Sequence, residues 1–484
     1  MAVSLYTSRV ILKTLGVEDY GIYNLVAGFV TLFTFISNAL VSAIQTFLNV
    51  ALGKQDEERF KRVFSMSITI MFLTSALIVV LGETLGLWFV KTQLNIPIAR
   101  QSAALWVYQL SLATFVINIL RSPYNAAIIA YERMSFYAYV SIVEVLLRLG
   151  LVFSLLIIPF DKLISYTGLY MVLMMIILFA YIIFCKKRLI GCEYRFEKDS
   201  VLFKELVTFS GWSLLGQSAV VAAGQGEAIF VNRFFTVAAN AAIGVSAQLT
   251  GAIETFITNF QIAFNPQLVK SYTDEDKTEH NRLLIRASKF SFYLQLLLTL
   301  PIVFNIETVL KFWLGEVPEY SDAFCVFVLC GYLLAAISIP LKSSIYAGGN
   351  IRDYEILRTV VFAIGLCCSY FALKIGNPPY YVAIVGIGVQ ALLLVIRLYF
   401  AKRDAGISIW GFIKGVVVPC LFVGGVAIIV PFATSCDASS FLRLLIIVSV
   451  DVLYIALVVW FLGLSKSERK AIISSIKGKL IKKT

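Results

Sequence analysis

The sequence predicts an all-α integral membrane protein: about fourteen transmembrane helices, arranged as two duplicated six-helix bundles plus two C-terminal helices. Three observations predict it. The chain of 484 residues is 59% hydrophobic and 14% charged, with a mean hydropathy of +0.86, whereas soluble domains run near 25% charged. Its apolar stretches reach the roughly 20 residues a helix needs to cross a bilayer, and they do not alternate as barrel strands do. The chain also repeats itself. Thr34-Phe35-Ile36-Ser37-Asn38 returns as Thr255-Phe256-Ile257-Thr258-Asn259, 221 positions later. Glu83-Thr84 is echoed by Glu307-Thr308 at a shift of 224. Pro123 and Pro340 align without a gap through Ala130/Ala347 to Tyr137/Tyr354, at a shift of 217. Parallel repeats of this kind build many transporters, with the substrate handled near the bilayer midplane.

The apolar runs place spans near 1–14, 20–50, 63–90, 104–130, 136–159, 163–185, 206–232, 238–268, 288–313, 323–346, 355–375, 380–400, 411–432 and 441–464. The domain reading follows: residues 1–200 form an N-lobe of six helices, 201–402 a C-lobe of six, 403–464 the last two helices, and 465–484 a basic tail. The first span is short. Met1–Thr14 would reach only about 21 Å against a hydrocarbon core of about 30 Å. It also lacks the marks of a signal peptide. The expectation is a truncated first helix, since its repeat partner runs a full length from Leu206 to Asn232. In the tail, Ile472, Ile473, Ile476 and Leu480 share one helical face among lysines, the pattern of an interfacial helix on an anionic leaflet.

The formal charge of +12 is a topology signal. Loops after even-numbered spans and the tail hold 29 of the 41 Lys and Arg residues, in segments such as Lys54–Arg62, Lys186–Lys204, Lys270–Lys289, Arg352–Arg358 and Arg397–Lys414. Nine lie at odd-numbered joints. By the positive-inside rule the even loops and the C-terminus are cytoplasmic, and nucleic-acid binding need not be invoked. The eight cysteines are scattered without metal-ligand or disulfide-framework spacing. No nucleotide-binding glycine motif is present, so direct ATP drive has no support. The reading includes no metal, no cofactor and no enzymatic activity.

Ser8-Arg9-Val10-Ile11-Leu12-Lys13-Thr14-Leu15-Gly16-Val17-Glu18-Asp19-Tyr20-Gly21-Ile22-Tyr23 resembles the N-terminal signature of polysaccharide repeat-unit flippases. Leu52-Gly53-Lys54-Gln55-Asp56 and Ala130-Tyr131-Glu132-Arg133-Met134 carry the same resemblance. These transporters belong to the multidrug/oligosaccharidyl-lipid/polysaccharide exporter (MOP) superfamily, and the chain is more similar to its O-antigen and capsule branch than to its drug exporters. The resemblance implies a MATE-like fold of two lobes rocking about a central cavity. It implies carriage of an undecaprenyl-diphosphate-linked oligosaccharide across the bacterial inner membrane, alongside glycosyltransferases and a polysaccharide polymerase. The shortened first helix departs from the family pattern.

A sugar diphosphate crossing hydrocarbon needs a wet cavity with cations for phosphate and amides or hydroxyls for sugar. The candidate cations are Arg9, Arg121, Arg148, Arg233 and Lys342. Arg121 and Lys342 flank the repeated prolines; either they meet a phosphate, or they snorkel to the interface. Arg148 lies four residues after Glu144, a spacing that suits a self-neutralised pair. Arg9 and Arg233 fall near periplasmic span ends, where anchoring competes with a role in release. Asn38, Gln45 and Asn49 share a face of the second span, and Asn259, Gln261 and Asn265 lie on its repeat partner. Such stripes either line a cavity or join helices.

Isolated acids bear on coupling to H+ or Na+. Glu227, between the Gly224/Gly226 pair and the helix end, is the leading candidate, with Glu254 and Glu144 as further candidates. A carboxylate in a span can take up a proton or a cation as the bundles rock. Asp451 faces a peripheral helix and reads as a hydrogen-bond partner. His280 is placed in a cytoplasmic loop. Two other functions compete: a MATE-type multidrug or metabolite exporter, which calls for a net-negative cavity, and a polysaccharide polymerase or ligase, which calls for a larger outer loop.

Overall fold

A computed structural model describes residues 34–470, except 93–97, 156–158, 236, 274–276 and 435–439, together with Val10, Ile11, Thr14, Leu15, Asp19, Ile22, Tyr23 and Val26. Arg9, most of the short first span and most of the basic tail, residues 471–484, lie outside the described residues.

Among the described residues the regular elements are all helices. In chain order we label thirteen long ones: α1 (Thr34–Gly53), α2 (Glu57–Thr92), α3 (Gln101–Ala130), α4 (Met134–Ser154), α5 (Lys162–Arg188), α6 (Ser200–Phe234), α7 (Val237–Thr273), α8 (Lys277–Phe304), α9 (Ser321–Ala347), α10 (Arg352–Lys374), α11 (Tyr381–Ala405), α12 (Ile409–Thr434) and α13 (Phe441–Gly463). Twelve are long and apolar enough to cross a membrane; the exception is α7, the helix with the predicted polar stripe Asn259, Gln261 and Asn265. This is a multi-pass membrane protein.

The chain divides into two compact units, Met1–Ser218 and Ala219–Thr484. Each has a hub. In the first, α3 packs against α1, α2 and α5; in the second, α9 packs against α7, α8 and α11. These sets correspond one for one under the sequence repeat, and the hubs carry Pro123 and Pro340. The repeat extends to the backbone. Glu132, after α3, has φ 56°, and Gly349, which lies 217 positions on, has φ 79°.

Lipid tails are as apolar as leucine, so close packing takes over from the hydrophobic effect inside a bilayer. Small residues show where backbones approach. A Cβ on Gly82 would meet Leu112 at 2.8 Å, one on Gly226 would meet Leu366 at 2.8 Å, and one on Gly365 would meet Val389 at 2.5 Å. Outward faces stay apolar: in α4 only Val152 is buried, and Tyr139, Ile142 and Leu146 are exposed.

Several helices depart from ideal geometry. π turns occur at Gly82–Gly86 in α2, Ile413–Val417 in α12 and Val459–Gly463 in α13, and in α2 the Tyr108 hydroxyl donates to the Gly82 carbonyl at 2.7 Å. The predicted span 288–313 proves to be α8, a break at Asn305, and a short helix Ile306–Leu314. Pro301 lacks an amide donor, and the Asn305 side chain donates to the Pro301 carbonyl at 3.0 Å.

Several loop assignments are corrected because helices begin earlier or end later than apolarity suggests. His280 lies in the first turn of α8, buried between the hydroxyls of Ser271 at 2.9 Å and Ser344 at 3.1 Å. Lys289, Arg358 and Arg397 are buried helix residues. Lys289 and Arg397 find partners on other segments, Glu468 for the first and Tyr354 and Ser338 for the second, whereas Arg358 pairs with Glu355 on its own helix.

Candidate functional site

Unit 1 contains an open cavity of about 440 Å³ in which polar groups are set among apolar ones such as Phe115 and Ile119. Its α1 wall is built by Thr34, Ser37 and Asn38, at the i, i+3, i+4 spacing that puts residues on one helix face. The facing wall is α3, where Ser111, Thr114, Asn118 and Arg121 recur every three or four residues. From α5, Thr167 and Tyr170 complete it.

The cations are held by particular neighbours. Arg121 Nη1 lies 3.3 Å from Glu144 Oε2 on α4, with its guanidinium 5.5 Å from the Tyr181 ring centre. Glu144 therefore pairs across helices, and the expected Glu144–Arg148 pair is not formed. Arg148 instead donates to the Tyr166 hydroxyl at 3.3 Å and stacks 4.9 Å from the centre of the Tyr170 ring, and its buried Nε has no protein partner. Facing aromatic rings offer a cation attraction without cancelling its charge. Hydroxyls, amides and the Arg121 guanidinium in one cavity can hydrogen-bond sugar hydroxyls and phosphate oxygens.

The predicted amide stripes divide between two roles. Asn38 faces the cavity. Gln45 donates to Asn49 at 3.2 Å and to the Ala126 carbonyl at 3.4 Å, joining α1 to α3. In unit 2, Gln261 donates to Ser291 on α8 at 3.2 Å, and Asn265 accepts from Ser343 on α9 at 2.8 Å. Asn259 is exposed. Glu227 on α6 faces Ser369 on α10, next to the close approach of Gly226 and Leu366. Glu254 on α7 accepts from the Tyr332 hydroxyl at 3.2 Å. Arg233 is exposed at the end of α6. Asp451 is buried and accepts from Thr434 at 2.8 Å, joining α12 to α13. Lys342 lies with its Nζ 4.8 Å from the Tyr346 ring centre.

No family model matches the chain. An uncharacterised membrane protein of Bacillus subtilis strain 168, EpsK, is 23% identical over 429 residues, covering 86% of this chain and 83% of that protein. Solved structures agree over most of the length. An outward-facing multidrug resistance MATE family transporter of the MOP superfamily matches at TM-score 0.73 and 12% identity, covering 84% of this chain and 92% of that one. This is the MOP-superfamily transporter fold. A MOP superfamily transporter from Pyrococcus furiosus, described as having a binding pocket of reversed polarity that suggests a different function, matches at TM-score 0.71 and 12% identity, covering 84% of this chain and 93% of that one.

Within this MOP-type fold, sequence reasoning missed the α3 stripe and the tyrosines of α5. The signal was available: Ser111, Thr114, Asn118 and Arg121 fall on one face of an apolar span, and Tyr166 and Tyr170 are one turn apart. It also missed the contacts of Glu355, Arg358 and Arg397, although the predicted spans 355–375 and 380–400 contain these residues.

Proposed function

We propose that this protein is a flippase. It carries undecaprenyl-diphosphate-linked oligosaccharide repeat units from the cytoplasmic to the periplasmic leaflet of the bacterial inner membrane. It works by ion-coupled alternating access within surface-polysaccharide biosynthesis, with its C-terminus cytoplasmic. The observation that carries this reading is the unit 1 cavity, where Arg121 stands at the end of a polar α3 stripe opposite Asn38.

A diphosphate-linked sugar needs charge-assisted donors for its phosphates and neutral donors and acceptors for its hydroxyls, and both kinds meet here. Arg121 is the charged residue among the described cavity lining. Arg148, held behind that wall by the Tyr166 hydroxyl and the ring of the lining residue Tyr170, adds positive charge that Glu144, paired with Arg121, does not cancel. Both support an anionic substrate. A cationic drug fits such a wall poorly. In the same fold, the Pyrococcus furiosus transporter is described as having a binding pocket of reversed polarity that suggests a different function.

The test is export of surface polysaccharide in a strain dependent on this chain. Arg121→Ala is expected to lose export while remaining inserted at the normal level. Normal export in that variant would remove the arginine, and with it the proposed cavity chemistry.

A further inference from the structure

Unit 2 contains a charge cluster that the transport reading does not use. On α10, Glu355 and Arg358 are buried, at 0% and 6% exposure, and pair at 3.0 Å. Glu355 Oε1 also accepts the Tyr346 hydroxyl from α9 at 2.5 Å. Arg397, on α11 and 6% exposed, donates to the Tyr354 hydroxyl at 3.1 Å and to the Ser338 hydroxyl. Both of those partners are neutral. Lys342, on α9, lies within electrostatic range of Arg358, Glu355 and Arg397.

Three cations thus share one carboxylate, both of whose oxygens already accept hydrogen bonds. Arg358 Nε is buried with no protein partner. A ring face and two hydroxyls orient these groups without neutralising them. Uncompensated charge at such depth is strongly unfavourable, so the cluster calls for an anion. Among small anions a phosphate group suits it best: it carries more than one negative charge, and its oxygens match the planar fork of arginine. Lys342 is the partly exposed member and provides the way in.

We propose that Lys342, Arg358 and Arg397 form an oxyanion site within unit 2 that binds a phosphate group, free or on a lipid headgroup. The site is separate from the unit 1 cavity, and failure of either proposal leaves the other standing.

The experiment uses full-length protein, delipidated in neutral detergent. Thermal unfolding is followed with inorganic phosphate, with short-chain phosphatidic acid, and with gluconate at matched ionic strength as control. A saturating ligand, at about tenfold above its Kd, is expected to raise Tm by roughly 1.5 °C. Lys342→Arg keeps the rise and Lys342→Met loses it. Protection by both ligands assigns a free oxyanion site, and protection by phosphatidic acid alone assigns a headgroup site. No protection by either ligand, or equal protection of Lys342→Met, overturns the proposal. Should Lys342→Met not fold, line broadening of the phosphorus NMR signal of phosphate (or of phosphatidic acid, where that alone protects) by the wild-type protein, reversed by excess sulfate, decides; an unbroadened line overturns the site.

Discussion

Arg121 on α3 meets Glu144 on α4 at 3.3 Å, and this contact leaves Arg148, one turn further along α4, to the tyrosines of α5. One acid therefore sets the charge available in the unit 1 cavity. Glu144→Gln removes the competitor for Arg121 without removing bulk. A hydrogen bond to a charged group is worth about 1.5–3 kcal/mol, so anionic substrate should bind roughly tenfold or more tightly to this variant. Binding of a lipid diphosphate to purified protein measures it, and weaker binding would contradict the assignment of Arg121 as the phosphate contact.

Glu227 faces Ser369 beside the tight α6–α10 crossing. If Glu227 carries the coupling ion, Glu227→Gln should uncouple flux from an imposed proton or sodium gradient in proteoliposomes while downhill exchange continues. Gradient dependence identical to wild type would exclude it.

Gly365 sits where an added Cβ would lie 2.5 Å from Val389 Cγ2 on α11. Overpacking of this kind costs typically 1–3 kcal/mol. Gly365→Ala should therefore lower the unfolding temperature measurably, and the double variant with Val389→Ala should recover most of the loss. No recovery would mean that the close approach is not the cause.

The start of the C-terminal tail is latched to α8. Glu468 is buried 3.3 Å from Lys289, and with Ser465 it forms a capping box: the Ser465 amide donates to its carboxylate at 2.7 Å, and its own amide donates to the Ser465 hydroxyl at 3.3 Å. Burial by itself would raise the Glu468 carboxyl; the Ser465 amide and hydroxyl, and then Lys289, outweigh it and hold the carboxyl below its ordinary value. A depressed carboxyl contributes stability above its unfolded pKa of about 4.3, and that stability is lost as pH falls further. Glu468→Gln should thus be less stable than wild type at neutral pH and show a shallower loss in acid. Parallel acid profiles for the two proteins would dismiss the latch.

Much of the fold was legible because each signal was long. Twenty apolar residues in a row admit few structures, and a repeat spanning a hundred positions survives local noise. Thus the hubs α3 and α9 could be paired from Pro123 and Pro340 alone. The site was legible only in part. Asn38 was found because it repeats at Asn259, but the α3 stripe was hidden, since serines and threonines are common in apolar spans and only Arg121 stands out by charge. His280 was misplaced because composition marks a polar stretch as loop, whereas α8 begins at Lys277, well ahead of the apolar segment. Lys289, Arg358 and Arg397 fell at the edges of predicted spans, and their burial was not legible.

The order of residues by itself determined the membrane class, the approximate limits of most spans, the duplication, and which residues bear charge inside them. Tertiary structure alone decided the partner of each charge. Glu144 prefers Arg121, 23 positions away, to Arg148 four away, and Arg397 reaches Tyr354 and Ser338 at separations of 43 and 59. The reason is dielectric: inside a bilayer a charge must be satisfied by whatever packs against its face of the helix. Helical periodicity specifies the face, but only the packed bundle supplies the neighbour.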